Sequence, residues 1–185
     1  MTFTVTIGAL QMTPFTPHSS RELYCIRNHG SVRQYMTNPA LIQYQAHREW
    51  VQKNLLDGKE LLLFMVRPRA GARAIGFTQL LIREDTAEIG VIFREAIRHQ
   101  TSSALCTVAT LHLAFCHLNL DWVVSYVIAA HQAALSFNRA FGGQEVASDK
   151  PGMIKLKLSR AACLSNAHYT RVFSRIKDRI EIVGL

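Results

Sequence analysis

The sequence predicts an α/β fold, a mixed sheet with helices packed on both of its faces. Three observations carry this. Residues 61–67, 73–83 and 87–94 read as apolar strands joined by turns at 68–71 and 83–86. Connections that short cannot make a crossover, so the three strands form an antiparallel meander. Residues 86–143 then run strand, turn, helix, strand, helix, two strand-to-helix units side by side. Near the start, Phe3, Val5 and Ile7 alternate with polar residues, the pattern of a half-buried strand. At 185 residues the chain reads as one domain, 1–185, long enough to bury a real core.

The elements follow in order. Pro14 and Pro17 place a loop after the first strand, and Ser19 or Ser20 caps a helix from Arg21 with Glu22 in its first turn. That helix breaks at His29-Gly30, a short piece continues over 32–36, and Pro39 interrupts again. A further helix covers 45–56, turns Ala46 and Trp50 inward and stops at Gly58. After the meander, the turn 98–103 leads into a helix over 104–118. The stretch 104–120 has no formal charge but spans 17 residues. A bilayer needs roughly 20, so this is a buried helix and no membrane partner is expected. A strand over 122–129, a helix over 131–141 closing on Gly142-Gly143, and an alternating strand over 153–158 complete the sheet. Residues 164–182 present Tyr169, Val172, Phe173, Ile176 and Ile180 at helical spacing, with Arg171, Arg175 and Lys177 opposite. This predicts a basic amphipathic helix that packs on its own sheet or on a second copy, as a homodimer.

Composition narrows the partners. The N-terminus lacks a basic-then-apolar leader, and the four cysteines show no paired spacing, which suits a reducing cytoplasm. His112 and Cys116 stand four apart on one helix face with no further ligands beside them, so no metal is expected. Residues 1–149 hold 13 Lys/Arg against 11 Asp/Glu, whereas 150–185 hold eight against two. Most of the net +8 lies in the last fifth of the chain, a face that favours a nucleotide diphosphate, a CoA phosphate or nucleic acid, or is simply solvated.

A strand feeding a helix leaves free backbone N–H groups at the helix start, with the positive end of its dipole behind them. Residues 98–104 are therefore a phosphate seat, with Arg98 and His99 adding charge and Thr101, Ser102 and Ser103 adding hydroxyl donors. A second strand-to-helix unit can splay from the first and open a slot for a long ligand. This arrangement resembles the GNAT superfamily of acyl-CoA-dependent N-acetyltransferases. In that family's pattern of [Q/R]-x-x-G-x-[G/A], helix, strand, Asn-x-x-Ser and helix ending Leu-Gly-Phe, Arg98, Thr101 and Ser103 stand at the first positions. His131 and Ala134 stand at the Asn and the Ser, and Phe141-Gly142-Gly143 at the helix end, without a gap.

The resemblance implies a mostly antiparallel sheet of six to seven strands, splayed near residues 90 and 126, and acetyl-CoA as co-substrate. The pantetheine arm would pair with the backbone of Val91, Ile92 and Phe93, with the amides near Ile89 and Gly90 at the thioester. The pyrophosphate would rest on Arg98, His99, Gln100, Thr101, Ser102, Ser103 and Ala104, with His131 beside the donor. Glu88, flanked by apolar residues, is a candidate base with a raised pKa, or else a strand-end carboxylate paired to an Arg from a neighbouring strand. The acid that protonates the thiolate falls at Asn138, with Tyr126 as the alternative. In the first third, Arg27-Asn28, Val32-Arg33, Met36, His47 and Trp50 resemble the branch containing UDP-aminosugar N-acetyltransferases and, more loosely, ribosomal-protein N-terminal acetyltransferases. An arginine on phosphate, with Met36 and Trp50 on a ring, would bind a nucleotide-linked aminosugar. The alternatives are a protein N-terminus, an aminoacyl-tRNA, or a fold of this kind used as a non-catalytic binding module.

Overall fold

The computed structural model describes residues 2–69, 71, 73–84, 86–95 and 100–183. Nine strands form one sheet in the order β7-β8-β6-β5-β4-β3-β2-β1-β9. A hairpin opens the chain: β1 (Thr2–Ile7) pairs with β2 (Leu10–Pro14) across Gly8, whose φ of +60° is the reason a glycine stands there. Helices α1 (Ser20–Arg27), α2 (Gly30–Arg33) and α3 (Tyr44–Val51) follow. The expected meander is β3 (Leu61–Pro68), β4 (Gly76–Arg83) and β5 (Thr86–Phe93). Helix α4 (Gln100–His112) crosses to β6 (Trp122–Ile128), which lies parallel to β5. The other seven pairings are antiparallel. Then come α5 (Gln132–Ala140), β7 (Gln144–Val146), β8 (Met153–Ser159), α6 (Arg160–Leu164), α7 (Ala167–Phe173) and β9 (Ile180–Val183).

Two layers cover the sheet. On one face α1, α2 and α3 pack Leu23, Ile26, Val32 and Val51 on Leu63, Met65 and Phe77. On the other face, α4 and α7 pack on Val5, Met12, Phe64, Leu80 and Phe93, while Leu135 of α5 meets Val127 and Leu156. Helix α4 is apolar all round because it lies between the sheet and α7, with Cys106, Val108, Ala109 and Leu111 all buried. Each such aliphatic side chain contributes about 1.5–3 kcal/mol by leaving water. Among the described residues, no helix is long and apolar enough to cross a membrane.

Three expectations need correction. The sheet has nine strands rather than six or seven, because β2 continues past the first turn and the short edge strands β7 and β9 join it. The helix expected over 164–182 is broken into α6, α7, a 3₁₀ turn at Lys177–Arg179 and β9, which pairs with β1 through Val5↔Ile180 and Phe3↔Ile182. The stripe of Tyr169, Val172 and Ile176 is buried against the chain's own core, so it does not call for a second copy. Finally, α4 begins at Gln100, which places Thr101, Ser102 and Ser103 in its first turn rather than before it.

Candidate active site

The slot follows from the sheet's one parallel pairing. β5 and β6 are bonded at Thr86↔Trp122, Ala87↔Val123 and Glu88↔Val124, and then diverge. Beyond that point β5 keeps its bonds to β4 through Phe93, while among the described residues its edge toward β6 has no strand partner along residues 89–92. An open strand edge of backbone N–H and C=O groups takes an extended ligand carrying amides of its own. Val91 and Ile92 lie on this edge, and Phe93 ends the strand. Side chains of β5 alternate: Ala87, Ile89, Val91 and Phe93 join the α4 core, and Ile92 joins the α1–α3 core. Glu88 and Gly90 share the face of Ile92.

The floor of the slot, where the two strands part, holds a cavity of about 20 Å³ lined by residues including Ile89, Val123, Ser125 and Asn138. Here the Ser125 hydroxyl donates to the Asn138 carbonyl oxygen at 2.8 Å, and the Asn138 amide donates to the Ala134 carbonyl at 2.8 Å. Asn138 thus ties α5 to β6. An amide has no acidic proton to give, so it serves as structure at the place expected for an acid.

At the mouth, the described part of α4 runs from Gln100, which follows the C-terminal end of β5 in the chain, and a helix N-terminus of this kind offers backbone amides to an anion. Thr101 is exposed, and Ser102, Ser103 and Ala104 are half-buried. Arg98 and His99 lie outside the described residues. Across the slot, His131 caps α5, its Nδ1 accepting the Ala134 amide at 3.3 Å. That acceptor role requires a neutral imidazole, and burial lowers its pKa.

The face opposite α4 carries the other polar groups. Lys150 Nζ bonds Glu88 at 2.8 Å and lies 3.7 Å above the Tyr126 ring. Glu88 is thus a paired carboxylate rather than one enclosed by apolar side chains, but its partner is Lys150 from the loop before β8 and not the expected arginine of a neighbouring strand. The Tyr126 hydroxyl donates to Asp149 at 2.6 Å. That bond, with Lys155 at 3.2 Å, holds the Asp149 pKa down to about 2. Lys157 covers the Trp122 ring at 3.8 Å. The register explains the ladder, since Tyr126↔Lys155 and Val124↔Lys157 are cross-strand pairs and so share a face. Lys150 and Lys157 are the site residues that sequence reasoning missed. The alternation of Lys155 and Lys157 with Leu156 and Leu158 was the available signal.

The residues of the first third form a different device. Arg27 stacks on Trp50 at 4.2 Å, and Met36 packs on the α1–α3 core. The Asn28 side chain grips Ile42 both ways, its amide donating to the carbonyl at 3.0 Å and its oxygen accepting the N–H at 2.8 Å. Arg33 donates to the carbonyls of Asn28 and Pro39. His47, fully buried, lies 3.0 Å from the Ser20 carbonyl. Together they hold the segment 34–43 in place. Nor do Arg171, Arg175 and Lys177 approach the α4 seat. Phe173 and Tyr169 of α7 meet His112 at the far end of α4, about 18 Å from its first turn at 1.5 Å per residue.

Among the described residues no group of three or more His, Cys, Asp or Glu could hold a metal. In sequence, residues 9–144 match the family model of the acetyltransferase (GNAT) domain. No curated protein matches the chain in sequence. Solved structures share its fold. One is a spermidine N-acetyltransferase from Vibrio cholerae in complex with CoA and spermine, 16% identical, with TM-score 0.72 over 85% of this chain and 99% of that one. A GNAT-family acetyltransferase from Bacillus anthracis is 14% identical, with TM-score 0.69 over 85% and 99%. A domain from Methanocaldococcus jannaschii is 9% identical, with TM-score 0.70 over 81% and 97%.

Proposed function

From a chain that belongs to the GNAT acetyltransferase family, and so is an acyl-CoA-dependent N-acetyltransferase with acetyl-CoA as co-substrate, we infer an acceptor that is a primary amine on an anionic molecule. A nucleotide-linked aminosugar is the class that fits best. In this reading the pantetheine arm lies along the open edge of β5, the pyrophosphate meets the first turn of α4, and the amine arrives from the face of Glu88. The carrying observation is the charge on that face. Glu88 is balanced by Lys150, and Asp149 by Tyr126 and Lys155, so neither carboxylate offers an uncompensated negative charge to a polycation. Among the described residues Lys157 lies over the Trp122 ring without an ion-pair partner, and its charge is available to a phosphate. A polyamine, the ligand of the Vibrio relative, needs free carboxylates and would meet ammonium groups instead.

The chemistry follows from the same groups. The amine nitrogen attacks the thioester carbonyl, whose oxygen is polarised by backbone amides near Ile89 and Gly90. Glu88 takes the proton from the attacking amine, and Lys150 fixes the orientation of its carboxylate. The C–S bond breaks and the thiolate takes its proton from solvent, because Asn138 has none to give and Tyr126 donates to Asp149.

The test is acetylation of UDP- or dTDP-aminosugars, spermidine, N-terminal peptides and aminoacyl-tRNA, side by side, with calorimetry of desulfo-CoA binding. The nucleotide sugar is expected to be acetylated with modest salt dependence, and Lys157→Glu to raise its KM about tenfold, the scale of one lost charge-assisted contact. Efficient acetylation of spermidine without the nucleotide sugar would overturn the acceptor assignment. A steep salt dependence with tRNA would replace it with the tRNA reading.

A further inference from the structure

The segment 31–37 bridges the two lips of the slot. On the β5 lip, the Ser31 hydroxyl accepts the Glu95 amide at 3.0 Å, just past the end of the strand. On the β6 lip, the Tyr35 ring lies against the His131 ring, centroids 3.7 Å apart and planes inclined by 32°. Ser31 and Tyr35 stand one helical turn apart, so a single turn of backbone staples both sides. Two further contacts steady the bridge. The Thr37 hydroxyl reaches the Met153 sulfur at 3.6 Å, and Asn28 and Arg33 hold Ile42 and Pro39.

The core does not require this arrangement. Tyr35 remains 42% exposed, although an apolar stripe for it to join lies one turn away at Val32. What Tyr35 touches is the N-cap of α5, and α5 in turn carries Asn138, bonded to Ser125 on the slot floor. A continuous set of contacts therefore runs from the bridge to the point where β5 and β6 part. Rings 3.7 Å apart are in van der Waals contact, so nothing passes between them. A chain inserted along the β5 edge needs about 4.8 Å on each side, the spacing of paired strands.

We propose that Tyr35 and His131 form a latch across the slot, their rings in contact, which acyl-CoA must open to lie along β5. The proposal rests on the reading of that edge as the acyl-CoA site. A closed latch lowers the apparent affinity for the donor by the fraction of molecules that are open, and loosening it returns that affinity. The gain expected from removing one ring contact is about two- to tenfold.

The experiment compares the wild type, Tyr35→Phe and Tyr35→Ala by calorimetry with desulfo-CoA and by amide hydrogen exchange in the unliganded proteins. Tyr35→Phe keeps the ring and is expected to match the wild type. Tyr35→Ala is expected to bind desulfo-CoA two- to tenfold more tightly and to exchange faster over residues 34–43. Equal or weaker binding by Tyr35→Ala would overturn the proposal, because the ring would then belong to the site rather than block it. Unchanged exchange would also overturn it, whatever the ligand does. If no protein, wild type included, binds desulfo-CoA, the acetyltransferase reading of the slot fails and takes the donor step of the latch with it. Binding by the wild type with an unaltered Tyr35→Ala sinks the latch alone.

Discussion

At the scale of single residues, Asn138 is the best-determined group near the slot. Its oxygen accepts from Ser125 and its amide donates to Ala134, so its capacity on both sides is used where β6 meets α5. Ser125 is 8% exposed, and removing its acceptor leaves a hydroxyl stranded in an apolar floor. Asn138→Ala is therefore expected to cost about 1–3 kcal/mol in denaturant unfolding, the desolvation penalty of an unpaired buried group. Asn138→Tyr is expected to destabilise as well, since the cavity beside it is only about 20 Å³ and cannot take a ring. A variant as stable as wild type would mean that the floor relaxes freely. The residues of the first third teach a related lesson. Arg27, Asn28, Arg33, His47 and Trp50 are legible in the sequence as a group with one purpose. The partners of Asn28, Arg33 and His47 are not legible, because these are main-chain atoms of Ile42, Pro39 and Ser20, which leave no mark in the residue types.

At the scale of elements, strand pairing decides what can be substituted. Gly76 opens β4 opposite Phe93, and a Cβ added there would run into the Ile92 carbonyl oxygen and the Phe93 ring. Main chain and a buried ring cannot step aside, unlike the flexible Gln79 side chain that faces Gly90. Gly76→Ala is expected to destabilise by about 1–3 kcal/mol and to widen the end of β5 that borders the slot, visible as faster amide exchange at Phe93 and Arg94. Gly90→Ala is expected to be milder. A Gly76→Ala protein with wild-type unfolding would contradict the close approach. The meander, α4 and the diverging β5–β6 pair are all legible because short turns and apolar runs dictate them. The last segment is not. Ile176 and Ile180 are four apart, which imitates a helix, yet Ile180-Glu181-Ile182 also alternates as a strand does. The unpaired edge of β1 settles the choice, and that edge exists only in the assembled sheet.

At the scale of the whole molecule, three histidines in three different parts of the fold have their pKa lowered by burial. His47 lies in the α1–α3 layer beside Arg27, His112 lies under α7 beside His117, and His131 lies at the slot mouth. Burial lowers the pKa of each, and electrostatic repulsion from Arg27 for His47 and from His117 for His112 lowers it further. Above the ordinary histidine value of 6.5 both folded and unfolded chains keep these rings neutral, so stability does not depend on them. As pH falls through that value, the unfolded chain takes up protons that the folded chain refuses. Stability then drops with falling pH, and goes on dropping until the lowered folded values are reached. Charging His131 has an added consequence, since a protonated Nδ1 cannot accept the Ala134 amide and α5 loses its cap. Thermal unfolding followed from pH 8 to pH 5 is thus expected to show a plateau above about 7 and a steady fall below about 6.5. His47→Gln should start from a lower melting temperature but fall less steeply in acid, because one of the three proton sinks is gone from the unfolded state. A melting temperature that stays level or rises between pH 6.5 and 5 would mean that other groups dominate, and that these rings are more freely hydrated than their packing implies.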